Sequence, residues 1–394
     1  MSIVIFGDLF SFPEGNAATN RVYTYAKGFT ENNIDVYIIC FANKFRNENE
    51  GVVNGIPFSY PFKQKKRNKY FAIRRWHKLV KYYRTLISIR KINKRDKIIA
   101  INLWTNLHLT YIFGWLLAKV FNTKLVTECS EHPLIYYQNG VWKKKQGIIK
   151  FYIESRLCDG VLCISDFLIN FYRSKGVDAK KLFHVPSTVD PTRFLNIGGK
   201  PLHYRYIGYF GSLTFKRDNV DLLIEAFSRI TNLHPEFHLV LGGFCNENVK
   251  KDIEKLITQL KIKQKVKLLD YLTRQEIVRY ISHADILVMV RSKDLESQAS
   301  YPSKLTEFLA TSKPVITVKV GEISDYLTDG INAFLVEPEN IDSLSEKLDY
   351  VLCNYGLARE VGQKGKELTD TIFNYDYQAK RMIGFINSLN NVNN

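Results

Sequence analysis

Residues 296–318 read Glu296-Ser-Gln-Ala-Ser-Tyr-Pro-Ser-Lys-Leu-Thr-Glu-Phe-Leu-Ala-Thr-Ser-Lys-Pro-Val-Ile-Thr-Val318. Proline is tolerated at a first helical position, so Pro302 indicates a helix start. The spacing of Leu305, Phe308 and Leu309 predicts the buried face of that helix. The β-branched run 315–318 predicts a buried strand. A loop, a helix and a strand in this order are typical of an α/β sheet.

The start of this predicted helix suits an anion. Backbone N–H groups in the first helical turn have no partner within the helix, and here they lie beside Ser303 and Lys304. Glu307 follows about one turn later, within reach of a sugar hydroxyl on the same ligand. The stretch therefore predicts a site for a phosphate and a sugar, formed by Ser303, Lys304 and Glu307.

The run 302–316 also resembles the nucleotide-sugar motif of glycosyltransferase family 4, in which a glutamate before a Lys-Pro-Val-Ile strand holds the donor ribose. The resemblance implies this role for Glu307. Many members carry two glutamates separated by seven residues. Ala299 stands at the earlier position here, so the first glutamate is missing or its role has moved to Glu296.

Length and composition indicate a globular protein of two domains. The chain has 394 residues, of which 45% are hydrophobic and 24% charged. Its six cysteines lack metal-ligand spacing and are expected to be buried thiols. We expect no signal peptide, and the longest apolar run, 107–121, is too short to span a bilayer. The expected location is cytoplasmic, with peripheral contact at the inner face of the membrane.

The net charge of +17 is concentrated in one segment. Residues 63–97 contain 15 lysines and arginines and a single acid, Asp96. Apolar residues recur at helical spacing within it, at Trp76, Leu79, Val80, Tyr83, Leu86 and Ile87. The basic residues between them form a predicted membrane or acceptor patch: Arg74, Arg75, Lys78, Lys81 and Arg84. The helix either packs on its own domain with a solvated basic face or lies on an anionic membrane surface.

The N-terminal part opens like a Rossmann unit, with a strand at 2–7, a loop, and a helix with one apolar face. By resemblance, Gly15 and Asn16 fall where the family has a two-glycine loop facing donor phosphates and acceptor; an ordinary strand–helix turn is the alternative. His132 follows a predicted strand at 124–127, where α/β sheets bind ligands. The resemblance implies that His132 faces the transferred sugar.

The second domain opens with another strand, loop and helix. Its strand ends at Gly211, and the loop carries Lys216 and Arg217, whose charges suit a departing diphosphate. Ser212 stands where family members commonly have arginine, and either cation could occupy the place of the family lysine. By resemblance, the turn at Tyr271 and Leu272 lies against the donor base.

The resemblance implies the GT-B arrangement, an α/β fold of two Rossmann-like domains facing a central cleft. We expect an acceptor-binding domain at 1–195, a donor-binding domain at 204–370, and a C-terminal helix in 371–394 returning to the first domain. The implied reaction is retaining transfer of a sugar from a UDP- or GDP-type donor to a glycan or lipid-linked acceptor, in cell-surface polysaccharide synthesis. No metal or further cofactor is expected, because no Asp-x-Asp cluster is present.

Three other functions remain open. A nucleic-acid-binding protein would use the basic segment, although no known binding motif occurs in it and no nucleic-acid partner is expected. A dehydrogenase is disfavoured because the first strand–helix turn lacks Gly-x-Gly-x-x-Gly. A non-catalytic nucleotide-sugar-binding protein is consistent with the departures at Ala299 and Ser212.

Overall fold

The computed structural model describes residues 1–41, 48–62, 69–134, 140–195, 197–270 and 272–391. They form two compact units. The first comprises Met1–Thr188 and Tyr375–Asn394, and the second comprises Val189–Asn374. The short 3-10 helix Pro191–Phe194 therefore belongs to the second unit.

The first unit alternates strands and helices. They are β1 (Ser2–Gly7), α1 (Ala17–Glu31), β2 (Asp35–Cys40), β3 (Glu50–Val53), β4 (Ile56–Ser59), α2 (Phe71–Arg95), β5 (Ile98–Trp104), α3 (His108–Val120), β6 (Lys124–Cys129), α4 (Val141–Leu157), β7 (Gly160–Cys163), α5 (Asp166–Ser174) and β8 (Leu182–His184). Among the described residues these strands form one sheet in the order β3-β4-β2-β1-β5-β6-β7-β8. The pairs are parallel except for the β3–β4 hairpin.

The second unit is built in the same way. Its elements are β9 (Arg205–Phe210), α6 (Val220–Ile230), β10 (Phe237–Gly242), α7 (Glu247–Gln259), β11 (Val266–Leu269), α8 (Arg274–His283), β12 (Ile286–Met289), α9 (Leu295–Ala299), α10 (Ser303–Ala310), β13 (Val315–Val318), α11 (Ile323–Tyr326), β14 (Phe334–Val336), α12 (Ile341–Cys353) and α13 (Tyr355–Asp370). Its strands, within the described ranges, pair in parallel in the order β11-β10-β9-β12-β13-β14. The last helix, α14 (Tyr375–Asn391), belongs to the first unit.

Both faces of the first sheet are covered, which explains why β1 is buried at every position. One face packs against α1 and α14. The other packs against α2, α3 and α4. Helices α1 and α14 approach closely at Gly28, where an added Cβ would lie 2.5 Å from the Cβ of Ala379.

In each sheet the strand order reverses beside its first strand. β1 lies between β2 and β5, and β9 lies between β10 and β12. The carboxyl ends of parallel strands form a crevice at such a point, and α/β proteins bind ligands there. The predicted pair of Rossmann-like α/β domains is therefore confirmed, and each provides one such crevice.

Candidate active site

In the second unit, the start of α10 lies against the carboxyl end of β9. Lys304 Nζ donates a hydrogen bond to Tyr209 Oη at 2.7 Å and lies 3.3 Å from Asp218 Oδ1. An added Cβ at Gly211 would lie 2.7 Å from Lys304 Nζ. A side chain at position 211 would therefore displace the lysine, and this explains why a glycine is required there.

The Lys304 ammonium is largely removed from water. Its side chain is 19% exposed, and burial lowers its pKa from 10.5 to about 8, with Asp218 acting in the opposite direction. Arg291 and Arg217 lower the same pKa, so both arginines are electrostatic neighbours. A cation in this environment gains free energy when an anion binds beside it.

Two arginines complete this cluster. Arg217 Nη1 lies 2.6 Å from Glu296 Oε1. Arg291 is 3% exposed, and its Nη2 donates to Ser300 Oγ at 3.2 Å. Its Nη1 is buried and has no hydrogen-bond partner among the described residues.

The cluster carries an excess of positive charge. Three cations, Lys304, Arg217 and Arg291, stand against the carboxylates Asp218 and Glu296. Sequence reasoning missed Arg291, which comes two residues after the end of the apolar strand β12. Arg291 could have been found from the sequence, because a charged residue after a buried parallel strand lies where α/β sheets bind ligands.

Glu307 is held by an ion pair. Arg193 Nη1, from the 3-10 helix Pro191–Phe194, lies 2.8 Å from Glu307 Oε1, and both side chains are largely buried. Because Lys304 and Glu307 are three residues apart on α10, they lie on neighbouring turns of the same helical face. Arg193 thus fixes the carboxylate on the side of α10 that carries the lysine.

The other predicted residues of this unit are distributed around the cluster. Ser303 begins α10 and is half-buried, whereas Ser212 and Lys216 are exposed on the loop. Arg217, and not Lys216, pairs within the cluster. Leu272 is half-buried and contacts the end of β10, while Tyr271 lies outside the described residues.

The structure also shows what surrounds the position of the missing family glutamate. Ala299 is fully buried in α9, whereas Glu296, one turn earlier on that helix, pairs with Arg217. A carboxylate is therefore present beside the cations, although it comes from the earlier position.

In the first unit, Gly15 and Asn16 are exposed just before α1. Thr19 Oγ1 occupies the space beside Gly15, where an added Cβ would lie 2.2 Å away. His132 is 8% exposed, and its ring centroid lies 4.5 Å from that of Phe171. Burial lowers the pKa of His132, which favours a neutral imidazole.

A buried ion pair near the ends of β6 and β8 was not predicted. Arg21 Nε lies 2.7 Å from Glu128 Oε1, and the Arg21 guanidinium also donates to the carbonyl oxygens of Val185 and Pro186. Tyr25 donates to the second oxygen of Glu128 at 3.3 Å. This network connects α1 to two strands of the first sheet.

The predicted basic patch on α2 is only partly on the surface. Arg75 and Arg84 are exposed, and the side chains of Arg74 and Lys78 lie outside the described residues. Lys81 is half-buried, with its Nζ 4.2 Å from the centre of the Phe41 ring.

Helix α2 packs on its own unit, but three of its apolar residues do not take part in this packing. Trp76, Leu79 and Tyr83 are 63–64% exposed, whereas Thr85 and Ile89 are fully buried. The reason is that α2 has apolar residues on more than one side, and the side that packs is the one that carries Thr85 and Ile89.

The side chains of His234, Asp349 and Cys353, outside these sites, lie close enough together to ligate a metal. His234 Nε2 lies 2.7 Å from Asp349 Oδ1, and Cys353 lies one turn further along α12. The group offers three ligand atoms and is not at the carboxyl end of a strand. The expectation that the reaction needs no metal stays a prediction. In the part of the chain that the structure describes, no helix is both long and apolar enough to cross a membrane.

Solved structures share this architecture. Sucrose-phosphate synthase from Thermosynechococcus elongatus matches with a TM-score of 0.74 and 16% identity over 99% of each chain. Anabaena HepE in complex with UDP and glucose matches with a TM-score of 0.72 and 14% identity over 98% of this chain and 99% of that one. At these identities the likeness defines the fold, which is that of the GT-B glycosyltransferases.

Matches to sequence-family models assign the chain to a family. Residues 18–193 match the model for Glycosyltransferase Family 4, and residues 192–368 match that for Glycosyl transferases group 1. The chain belongs to glycosyltransferase family 4. A poly(ribitol-phosphate) alpha-N-acetylglucosaminyltransferase of Staphylococcus aureus (strain COL) is 24% identical over 244 residues, which are 60% of this chain and 45% of the relative. The chain spans less than half the length of the curated relatives it matches.

Proposed function

We propose that this protein transfers a glycosyl group from a nucleoside diphosphate sugar to an acceptor hydroxyl, with retention of anomeric configuration. The cluster of Lys304, Arg217 and Arg291 carries the proposal, because its excess positive charge lies in the ligand-binding crevice of the second sheet. The UDP and UDP-glucose complexes of HepE support a uridine nucleotide as the donor.

The proposed chemistry uses this charge directly. The bond between the anomeric carbon and the donor phosphate breaks, and the cations stabilise the negative charge that develops on the diphosphate. The acceptor oxygen bonds to the anomeric carbon on the same face, and its proton passes to a phosphate oxygen of the leaving group. Glu307, held by Arg193, accepts hydrogen bonds from the ribose hydroxyls.

The donor assignment is tested by thermal shift with UDP, GDP, ADP and CMP. We expect one diphosphate to stabilise the wild type, and Glu307→Gln to weaken its binding about tenfold or more, because a charged acceptor is lost. The loss should disappear with the corresponding 2′,3′-dideoxynucleoside diphosphate, which lacks both hydroxyls. Glu254→Gln, at an exposed glutamate of α7, is the matched control.

Two results would refute the assignment. One is the absence of any shift with all four nucleotides at millimolar concentration. The other is equal affinity of Glu307→Gln and wild type for the ribonucleotide, which would remove Glu307 from the donor site.

We also propose a glycan or lipid-linked acceptor of cell-surface polysaccharide synthesis, handled at an anionic membrane. The observation that favours it is a set of exposed apolar side chains on α2, α3 and α4, which cover the same face of the first sheet. We call this set the α2–α4 surface. It comprises Trp76, Leu79, Tyr83, Leu109, Leu116, Val120, Trp142, Ile149 and Tyr152.

The α2–α4 surface has the composition of an interfacial membrane contact. Trp142 is 81% exposed and is followed directly by the exposed cations Lys143, Lys144 and Lys145. Tryptophan and tyrosine favour the headgroup level of a bilayer, and lysines attract anionic lipids. The exposure of the aromatic residues of α2 supports their assignment to this proposed membrane contact.

Flotation with vesicles of phosphatidylglycerol and phosphatidylcholine tests this surface. We expect the wild type to float at low salt, and Trp142→Glu combined with Ile149→Glu to abolish flotation, because carboxylates would enter an anionic apolar interface. Leu233→Glu, at a similarly exposed leucine of the second unit, should float like the wild type. If the wild type stayed unbound but bound an oligonucleotide with a steep salt dependence, a nucleic-acid partner would replace the membrane.

A further inference from the structure

The first sheet has its own ligand crevice, at the carboxyl ends of β1 and β5. Asp8 follows β1, and Thr105 and Asn106 follow β5. The two strands are tightly apposed at this end, since an added Cβ on Gly7 would lie 2.0 Å from the Trp104 carbonyl oxygen. The polar side chains that follow them therefore emerge side by side where the strand order reverses.

The hydrogen-bonding capacity of the Asp8 carboxyl is only partly satisfied by the described residues. Thr105 hydrogen-bonds to it through its side chain, whereas Asp8 Oδ1 is buried without a partner among the residues that the structure describes. Burial raises the pKa of Asp8. An oxygen in this state can accept a hydrogen bond from a ligand hydroxyl, and that bond would remove a desolvation cost.

Two lysines face this carboxyl from different helices. Lys81 of α2 has its Nζ 4.2 Å from the centre of the Phe41 ring, and the Phe41 N–H donates to the carbonyl oxygen of Gly7, the residue before Asp8. Lys81 and Lys150 of α4 both lower the pKa of Asp8 through their charges. Lys150 is 4% exposed, and its Nζ donates to the neutral amide oxygen of Asn106 at 2.7 Å. A buried ammonium beside an amide is incompletely compensated, which favours an incoming anion.

The charges at this crevice suit a ligand that carries both a phosphate and a hydroxyl. Two cations and one carboxylate leave an excess of one positive charge, and the carboxylate adds a hydroxyl acceptor beside it. We infer that Asp8, Lys81 and Lys150 form an acceptor subsite, in which the lysines bind a phosphate of the acceptor and Asp8 binds a neighbouring acceptor hydroxyl. The inference rests on the proposed function, since it assigns the acceptor side of that reaction.

The phosphate could belong to a lipid diphosphate or to a phosphorylated glycan or polyol, and two probes separate these sources. Farnesyl diphosphate represents the first and glycerol 3-phosphate the second. Farnesol is the control for binding through the apolar tail alone. Affinities are measured by calorimetry with the donor site saturated by whichever nucleotide stabilises the protein, so that the probes cannot compete for it.

The three residues are expected to act in opposite directions. Lys150→Gln and Lys81→Gln should each weaken probe binding about tenfold, because a charged hydrogen bond to phosphate is lost. Asp8→Asn should tighten the binding of farnesyl diphosphate severalfold, because this probe offers no hydroxyl to Asp8 and a negative charge leaves the crevice while the shape is kept. Lys180→Gln, at an exposed lysine between α5 and β8, should leave the affinity unchanged.

Misfolding cannot produce this pattern, since a damaged site would not bind more tightly after Asp8→Asn. Binding of farnesyl diphosphate alone would assign a lipid-linked acceptor, and binding of both probes a phosphorylated glycan or polyol. The inference is overturned if neither probe binds, if the lysine variants bind like the wild type, or if Asp8→Asn binds farnesyl diphosphate more weakly. Nucleotide stabilisation should persist in all variants, so its loss in the wild type would be a separate failure of the donor assignment.

Discussion

Replacement of Lys304 by methionine is expected to lower turnover by about 10²- to 10³-fold, the size of effect seen when a group that stabilises developing negative charge is removed. Lys304 Nζ is the ammonium of the cation cluster in the second unit and is held by Tyr209 and Asp218. Methionine keeps most of the volume, so the expected loss is electrostatic. Lys293→Met, at an exposed lysine between β12 and α9, should retain wild-type turnover.

The pH dependence of donor binding provides a second readout for Lys304. A lysine is charged below its pKa, and the pKa of Lys304 in the free protein is about 8. Donor affinity should therefore be constant below this pH and fall as the pH rises above it. Binding of the diphosphate stabilises the charged form, so it should be accompanied by proton uptake near pH 8.

In Lys304→Met the decline above pH 8 should be absent. A variant with the wild-type turnover, or with the same alkaline decline in donor affinity, would show that another group carries this role. Calorimetry in two buffers of different ionisation enthalpy would measure the proton uptake directly.

Replacement of Arg21 by methionine is expected to destabilise the first unit by about 3–5 kcal/mol, the usual cost of breaking a buried ion pair from one side. Among the residues that the structure describes, the change leaves Glu128, whose side chain is 1% exposed, with only the Tyr25 hydroxyl to compensate its charge. It also removes the donors to the carbonyl groups of Val185 and Pro186.

The position of the tryptophans makes this effect measurable for the first unit by itself. All four, Trp76, Trp104, Trp115 and Trp142, lie in that unit, so urea unfolding followed by tryptophan fluorescence reports on it selectively. Glu128→Gln in the Arg21→Met background should recover part of the loss, because it removes the unpaired charge. Arg173→Met, at an exposed arginine of α5, should be near neutral; a similar small change for Arg21→Met would contradict the expected role of the ion pair.

Local patterns in the sequence were sufficient for the elements around residues 302–318. The helix predicted after Pro302 is α10, and the strand predicted at 315–318 is β13. Both depend on residues that are neighbours in the chain. Fold class also followed from such units, because alternating strands and helices restrict the topology to a parallel α/β sheet.

Side-chain partners could not be predicted in the same way. Glu307 and Arg193 are 114 residues apart, and Arg21 and Glu128 are 107 apart. Spacing along the chain carries no information about such pairs, which depend on how the strands are ordered. The face of α2 that packs could not be predicted for a related reason: periodicity identifies apolar positions, but the neighbouring elements determine which of them are covered.

The packing of α14 against α1 has a consequence for how the protein is made. Ala379, Met382, Phe385 and Ile386 of α14 share a core with α1 and β1, although more than 340 residues separate α14 from α1 in the chain. On the ribosome, one face of the first sheet therefore lacks its α14 contacts while the second unit is translated. The first unit can finish folding only after α14 has emerged. The unit whose synthesis begins first is therefore completed after the second unit has been translated.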